Sequence, residues 1–583
     1  MALVAAVVSY AAVLRLDAIT EIYGPVTRPA IVRSLQQALD VPGRLRPTSF
    51  RWNPSPAFPH RDGPPTRYRS DPYTYLEYAR SMRHFFAAHR REPLFPFATK
   101  VSLRIFADQD VAVSFASAAF GVLAVFGTFL LGRAAFSYAV GLGAAVLLAI
   151  EYEVVTWNVG GWRDDAFTCA VVFIALALIA FRRRPDMRSA AIAGLAAGAG
   201  CLVRITALSF IVPGLLAVAL WHARSRTAWK GTAVACAVML VLVGPFLVDC
   251  WLVFGDPLYS INVHASVYEA AEGAGGVAAP TARGYLLGHL RHEPIRTIQT
   301  VALGLTTYPF TNKWHGFEGW WRGSGAYLEW LALGGLCLFA ASTDGLLLLL
   351  VLVTSLAPFA ATWRLSADWR FTEHAYPFFL LAACLPPVAA AQGVQRLWKG
   401  GVPWRLGRRW LVGAAAALVC GGIGWTVIVR VLPVLAAREA LRSDGAVTIV
   451  AGRGDSPFFG SEWRIDDGGG FATRVASGAR AWIAVPLPER AIYEATLRVD
   501  PSTAPVRAGE SLDPIQVTFN GRLLAPCQPN SQPDRIGTCR LELPAGAWRR
   551  RGNALMLGST APHPRGFRVA YVHLQRRSAA TNR

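Results

Sequence analysis

The chain is poor in charge. It holds 58 Lys and Arg and 37 Asp and Glu in 583 residues, 16% charged, where soluble proteins carry about 25%. Hydrophobic residues make up 53%. That balance excludes a disordered chain and argues against a soluble enzyme. No Cys-x-x-Cys pair is present, which speaks against a metal or redox centre built on cysteine. No zinc-finger spacing or other nucleic-acid signature occurs, so the net charge of +21 does not imply a nucleic-acid partner. Internal repeats and long low-complexity tracts are also lacking. The apolar run at 1–16 has no basic leader and no A-x-A cleavage site. It reads as a first transmembrane helix rather than a signal peptide.

Long apolar runs are abundant. Besides the first, they cover about 111–131, 136–155, 166–181, 189–203, 205–221, 231–253, 326–341, 345–363, 375–391 and 410–433. Counted against the length of chain a bilayer needs, they predict an α-helical polytopic membrane protein of about eleven spans. One set of loops carries Arg133, then Arg182, Arg183, Arg184 and Arg188, then Arg224, Arg226 and Lys230, then Arg396, Lys399, Arg405, Arg408 and Arg409. With eleven spans all of these fall on one side, which the positive-inside rule makes cytoplasmic. The turn at 342–345 holds Asp344 and no base, so it adds nothing to that count. The stretch 17–110, with surface helices, is then the first extracytoplasmic loop, and the C-terminus is outside. The expected location is a bacterial cytoplasmic membrane.

Spans end near Leu435, and the composition then changes. Short β-rich runs at 481–486, 492–499, 515–520, 539–543 and 567–574 are separated by turn residues such as Asn520-Gly521. They predict an extracytoplasmic β-sandwich over 438–583, after a membrane domain over 1–437. Seven of the nine cysteines lie singly in or beside apolar runs, as small hydrophobes do. Cys527 and Cys539 bracket a polar loop outside the membrane, and a disulfide between them is expected. Trp463, Trp482 and Trp548 are candidate sugar-stacking surfaces; the plainer expectation is that they are core residues.

Charged residues at the outer helix ends are the candidates for chemistry. Asp71 stands in Ser70-Asp71-Pro72-Tyr73, where its plain structural role is to cap a helix. Asp164 and Asp165 lie in Gly161-Trp162-Arg163-Asp164-Asp165-Ala166-Phe167, a short outer loop. Adjacent carboxylates beside hydrocarbon are costly unless solvated or partnered. They either cap the next helix or form a pair facing Asp71. Arg204, between two apolar runs, either snorkels or binds a lipid phosphate. Arg370 and His374, in Asp368-Trp369-Arg370-Phe371-Thr372-Glu373-His374, either anchor an interface or join Arg204 at that phosphate.

The order of these pieces resembles the GT-C superfamily of membrane glycosyltransferases, in particular its protein O-mannosyltransferase and aminoarabinose-transferase type. The resemblance rests on the Asp71 region, on Arg91-Glu92-Pro93-Leu94, on 161–167, on Gly194-Leu195-Ala196-Ala197-Gly198 with Arg204-Ile205-Thr206-Ala207, and on Arg370-Phe371 before Tyr376-Pro377. It covers about 1–435. The first acidic motif of that family stands close behind the first span, often as Asp-Glu. Here about fifty further residues intervene and the motif reads Asp-Pro, so Asp17 is a rival for the position.

What the resemblance implies is an enzyme that moves a sugar from a polyprenyl-phosphate carrier to a glycan, lipid or protein acceptor on the outer face. Asp71 is then the general base, with Asp164 and Asp165 as partners. Arg204, Arg370 and His374 are the donor-phosphate residues, and a divalent cation is an alternative source of charge for the leaving phosphate. Two other classes compete: a transporter or lipid flippase, and a non-catalytic membrane scaffold presenting the C-terminal domain. A transporter places its ionisable groups and broken helices near the midplane, often with an inverted repeat. Here the acids gather at outer helix ends.

Overall fold

The computed structural model describes residues 2–40, 52, 54–57, 65–272, 281–306, 325–362, 369–398, 424, 426–450, 457–459, 463–466, 473–476, 480–500, 514–527, 537–550, 552–559 and 568–577. The chain divides into two compact units. The first is Met1–Leu286 with Gly304–Ala414, and the second is Leu287–Leu303 with Ala415–Arg583.

The first unit is helical. In chain order its helices are α1 (Ala2–Tyr23), α2 (Ala30–Asp40), α3 (Ser70–Ser81), α4 (Leu94–Ile105), α5 (Ala112–Ala135), α6 (Tyr138–Ala149), α7 (Tyr152–Asn158), α8 (Asp164–Arg183), α9 (Met187–Val203), α10 (Leu208–Trp221), α11 (Arg226–Phe254) and α12 (Tyr259–Glu272). After α13 (Ala282–His292) and α14 (Pro294–Thr306) come α15 (Gly325–Phe339), α16 (Thr343–Ala360) and α17 (Tyr376–Trp398). Glycines let two of these backbones touch. A Cβ on Gly141 of α6 would lie 2.4 Å from the Phe129 carbonyl of α5, and one on Gly132 of α5 would lie 2.5 Å from the Gly141 Cα. Close approach of this kind is how apolar helices associate when burial from water no longer drives them.

Six helical segments among the described residues are long and apolar enough to cross a membrane: α1, α5, α8, α11, α16 and Phe371–Ala391. The pair α6 and α7 makes a seventh if its 65° bend is counted as one broken span. The count of eleven is not confirmed among the described residues. The expected spans at 189–203 and 205–221 are shorter helices, and α15 has only 15 residues. The run 410–433 falls largely outside the described residues. Hydropathy marks where chain is apolar, whereas span length also depends on where a helix bends or ends.

The ends of α8 define two faces of this unit. At its C-terminus Arg182 and Arg183 both clasp Asp344 of α16, at 2.5 and 2.6 Å. Arg183 also donates to the Ala134 carbonyl at the end of α5 (2.5 Å), and the His222 ring meets the Arg182 carbonyl (2.8 Å). The turns after α5, α8 and α10 and the turn before α16 therefore share one end. The acidic Asp344 turn is the counter-charge to the basic loops it joins. At 1.5 Å per residue, the N-terminus of the 20-residue α8 lies about 30 Å away.

Among the described residues the second unit contains most of α13 and α14, then α18 (Leu432–Ser443) and ten strands: β1 (Ala446–Val450), β2 (Trp463–Asp466), β3 (Thr473–Ala476), β4 (Arg480–Ala484), β5 (Tyr493–Asp500), β6 (Ile515–Phe519), β7 (Arg522–Leu523), β8 (Gly537–Leu543), β9 (Ala554–Ser559) and β10 (Arg568–Arg576). One sheet runs β2-β3-β10-β5-β8 with β1 also on β10, and the other runs β4-β9-β6-β7. All pairings are antiparallel. Alternating residues of both sheets, among them Leu497, Leu541 and Val572 of one and Ile483, Val517 and Leu557 of the other, enter a single buried cluster. That is the core of a β-sandwich. Cys527 and Cys539 are joined in a disulfide with Cα atoms 5.5 Å apart. Trp463 is buried and donates to the Trp482 carbonyl (2.9 Å), Trp548 is half-buried, and Trp482 is exposed.

Candidate active site

Three ion pairs meet at the end of the first unit opposite Arg182. Asp71 lies in the first turn of α3, whose cap position is Arg69. Its carboxylate takes a charge-assisted bond from Arg91 at 2.6 Å. Arg91 and Glu92 form the segment that leads into α4. Glu92 pairs with Arg163, the cap residue of α8, and also accepts from the Ile205 backbone N–H at 2.9 Å. Asp164, in the first turn of α8, pairs with Arg204 at 2.8 Å. A carboxylate in a first helical turn is favoured by the helix dipole. Arg204 ends α9 in extended backbone, at φ −158° and ψ 114°, before a short 3₁₀ turn at Ile205–Ala207. That break turns its side chain toward α8.

Burial sharpens these pairs. The Asp71 and Arg91 side chains keep 25% and 12% of their exposure, while the other two pairs are almost wholly enclosed. Burial alone would raise the Glu92 carboxyl, but Arg163, the Ile205 N–H and Arg204 outweigh it and hold Glu92 below its ordinary value. Conversely, burial works against the Arg163 charge, and Glu92 more than restores it. His264 of α12 sits beside Arg91. Burial and then the charges of Arg91 and Arg163 push its pKa down to about 4.

These groups line one cavity of about 270 Å³, walled by Asp71, Arg91, Glu92, Arg163, Arg204 and His264, with Tyr285, Phe359 and Phe371 as its aromatic wall. The Arg204 guanidinium lies 5.2 Å from the ring centres of Phe167 and Phe359 and 5.5 Å from that of Phe371. Its Nε and Nη1 are buried and have no hydrogen-bond partner among the described residues. The neighbouring Thr206 hydroxyl is in the same state. A buried donor without a partner is costly, and a guanidinium N–H or a hydroxyl can donate to an anionic oxygen.

The expected sites are redistributed. Asp71, Asp164 and Arg204 belong to the one cluster. Asp165 does not join them; it accepts from Ser117 and Asn158, and Asn158 in turn accepts from Arg15 Nε of α1 at 2.7 Å. Consecutive residues on a helix are turned about 100° apart, so this carboxylate faces a different neighbour. Asp164 and Asp165 are therefore not a pair facing Asp71, and the two do not converge on one cation. Among the described residues no group of three or more His, Cys, Asp or Glu is arranged to hold a metal. His374 is buried behind the cavity, 5.1 Å from the Phe167 ring and 5.6 Å from Phe359. The Arg370 side chain lies outside the described residues. Asp17, the rival of Asp71, accepts from Trp52 Nε1 at 2.7 Å and does not line the cavity.

Arg91, Glu92, Arg163 and His264 are site residues that sequence reasoning leaves unassigned. The first two stand in the motif Arg91-Glu92-Pro93-Leu94, which carries the family resemblance without assigning either a role. Nothing local marks His264.

Residues 90–248 match the family described as dolichyl-phosphate-mannose-protein mannosyltransferase. No curated protein matches the chain by sequence. Among solved structures, the Archaeoglobus fulgidus oligosaccharyltransferase in complex with zinc and sulfate is 15% identical, over 75% of this chain and 53% of its own, with a TM-score of 0.38. The same archaeal enzyme, AglB, in complex with an inhibitory peptide and a dolichol-phosphate is 16% identical, over 76% of this chain and 56% of its own, with a TM-score of 0.34. ArnT from Cupriavidus metallidurans, bound to undecaprenyl phosphate, is 15% identical over 65% of each chain, with a TM-score of 0.38. The chain thus spans about half the length of the archaeal enzyme. What the comparisons establish is thus a similarity of residues 90–248, from before α4 into α11, to the dolichyl-phosphate-mannose-protein mannosyltransferase family.

Proposed function

We propose that this protein transfers a sugar from a polyprenyl-phosphate donor to an acceptor hydroxyl or amine at the cavity. One observation carries the reading. Three carboxylate–guanidinium pairs converge on one cavity, and five of their six residues, all but Asp71, fall inside the segment that matches the mannosyltransferase family.

The chemistry follows from the charges. Asp71, the most exposed carboxylate of the cluster, takes the proton as the acceptor attacks the anomeric carbon. The bond from that carbon to the phosphate oxygen breaks, and its electron pair leaves with the lipid phosphate. Arg204, with unpartnered N–H groups inside an aromatic wall, meets the charge that develops there. Low-dielectric surroundings strengthen that interaction. Asp164 holds the Arg204 guanidinium in place, and Glu92 with Arg163 ties α4 to α8 beneath the cavity. Arg370 and His374 remain part of the proposal as donor-phosphate residues: His374 stands behind the Phe167 and Phe359 rings, and Arg370 is adjacent in sequence to Phe371 of the cavity wall.

The cavity end is proposed to face outward, because the opposite end gathers Arg182, Arg183 and the other basic loops. The Cys527–Cys539 disulfide supports an oxidising compartment for the β-sandwich. Purified protein with labelled polyprenyl-phosphate sugars tests the reading. Wild type should release sugar to an acceptor and leave free polyprenyl phosphate, whereas Asp71→Asn should not. If no donor in such a panel is consumed, the reading fails.

A further inference from the structure

Arg91 is the only member of the three ion pairs whose guanidinium is also bonded to a histidine ring among the described contacts. Its Nη2 meets Asp71 at 2.6 Å, and its Nη1 meets His264 Nε2 at 2.5 Å. The other ring nitrogen of His264, Nδ1, lies 2.5 Å from the Ser260 carbonyl oxygen. These two contacts decide the protonation state of the ring. A carbonyl only accepts, so Nδ1 carries a proton. A guanidinium only donates, so Nε2 carries none. His264 is thereby the neutral Nδ1–H tautomer, an arrangement in which the partner of one ring nitrogen sets the role of the other.

The surroundings agree with that assignment. His264 is enclosed, and the nearest charges are Arg91 and Arg163, with Glu92 behind them. Two guanidinium groups disfavour an imidazolium. Arg91 itself is held on a third side, its guanidinium carbon 5.7 Å from the Tyr75 ring centre. Ser260 and His264 are one turn apart on α12, which begins beyond the segment 90–248. An element outside the matched segment therefore reaches in to the pair that holds Asp71.

We propose that His264 is a positioning residue: it accepts from Arg91 and so fixes the rotation of the guanidinium that binds Asp71. Arg91 has several rotatable bonds, and an ion pair at the cavity edge costs side-chain entropy to hold. The His264 acceptor removes that freedom before substrate arrives. Loss of it lets Arg91 swing, and Asp71 loses its defined direction relative to the acceptor. Misplacement of a reacting group by about 1 Å costs on the order of 10² in rate. The inference rests on the glycosyl-transfer reading, with Asp71 as base.

The test compares His264→Leu, which keeps bulk and removes the acceptor, with His264→Gln, whose amide oxygen restores one. Kinetics are measured with labelled polyprenyl-phosphate sugar in detergent, alongside thermal unfolding. His264→Leu should lower kcat by about 10² while KM for the donor stays within about twofold, and His264→Gln should recover most of the loss. Equal loss of kcat in both variants, or a rise in donor KM matching the fall in kcat, overturns the positioning role. Separately, ¹⁵N spectra of histidine-labelled protein, with the His264 signals identified by their loss in His264→Gln, should show a protonated Nδ1 and an unprotonated Nε2 from pH 5 to 8. A ring protonated on Nε2 overturns the proposal whether or not the protein transfers sugar. If the tautomer is as stated and wild type transfers nothing, the glycosyl-transfer reading fails and takes the positioning role with it, while the His264–Arg91 hydrogen bond stands.

Discussion

Asp164 and Asp165 are consecutive in the chain and serve separate networks. Asp164 bonds Arg204 at 2.8 Å at the wall of the cavity, and Asp165 bonds Ser117 and Asn158 in a cluster that reaches Arg15. Their substitutions should therefore differ in kind. Removing one partner of a buried ion pair leaves the other uncompensated, at about 3–5 kcal/mol. Asp164→Ala should lower thermal stability in detergent and raise KM for the lipid donor. Asp165→Ala should lower stability alone. A donor KM that moves equally in both variants would contradict the division.

Asp71→Asn should reduce turnover by about 10² or more, the usual scale of general-base effects. Its carboxylate keeps a quarter of its exposure and meets Arg91 at 2.6 Å, so an amide there still accepts that bond. Unfolding temperature should change little. The measurement is initial rate at saturating donor, set beside the melting curve of the same preparation.

Gly121 has room for nothing larger. A Cβ there would come 2.2 Å from Asn158 Oδ1 and 3.1 Å from Arg15 Nε. Gly121→Ala should force the Arg15–Asn158 bond apart and cost about 1–3 kcal/mol, the range for overpacking. Gly244→Ala, where a Cβ meets nothing within 4 Å, is the control and should be neutral or slightly stabilising. Thermal unfolding of the pair decides it.

Acid should destabilise the fold through two histidines. The ordinary histidine value is about 6.5. His264 is pushed down to about 4 by burial and then by Arg91 and Arg163, and His89 to about 4 by burial and then by Arg90 and Arg91. Between these limits the unfolded chain binds protons that the folded one does not, so stability rises with pH there. Their contribution is complete above about 6.5 and is lost as pH falls toward 4. Melting curves from pH 7.5 to 4.5 should show this slope, and it should be shallower in His264→Gln.

The Cys527–Cys539 disulfide closes a loop of sequence separation 12. By chain entropy such a bridge stabilises by about 3 kcal/mol. Replacing both cysteines with serine should lower the unfolding free energy of the β-sandwich by that amount, taken from its denaturant transition as read by tryptophan fluorescence. Mass spectrometry of the non-reduced protein should contain the linked peptides.

Much of the fold is legible in the sequence, and the reason lies in period and length. The apolar runs that become α5, α8, α11 and α16 are continuous and nearly free of charge, and nothing but a helix satisfies their backbone in hydrocarbon. Strands β4, β5, β6, β8 and β10 fall on the expected runs because alternation and turn residues bound them. Strands β1, β2, β3, β7 and β9 escape notice although turn residues such as Asp444-Gly445 before β1 and Gly552-Asn553 before β9 flank them: four have four to six residues and β7 has two, too few for alternation to stand out. The bend between α6 and α7 is invisible too, because an apolar run reads the same whether the helix through it is straight or broken.

At the site, the sequence by itself determined which charges lie beside apolar runs, and so which carry a desolvation cost that some partner must offset. Asp164, Asp165 and Arg204 stand out on that ground, whereas Asp71, within the polar stretch 17–110, stands out by its place before Pro72 and by the family resemblance. Tertiary structure alone decided the partners. Asp71 is 20 residues from Arg91, Asp164 is 40 from Arg204, and Arg91 is 173 from His264. No periodicity links positions so far apart. The same packing sent Asp165 away from its neighbour and toward Arg15, because helix geometry turns consecutive side chains to different surroundings. Which carboxylate meets which guanidinium is settled by the helices that enclose them.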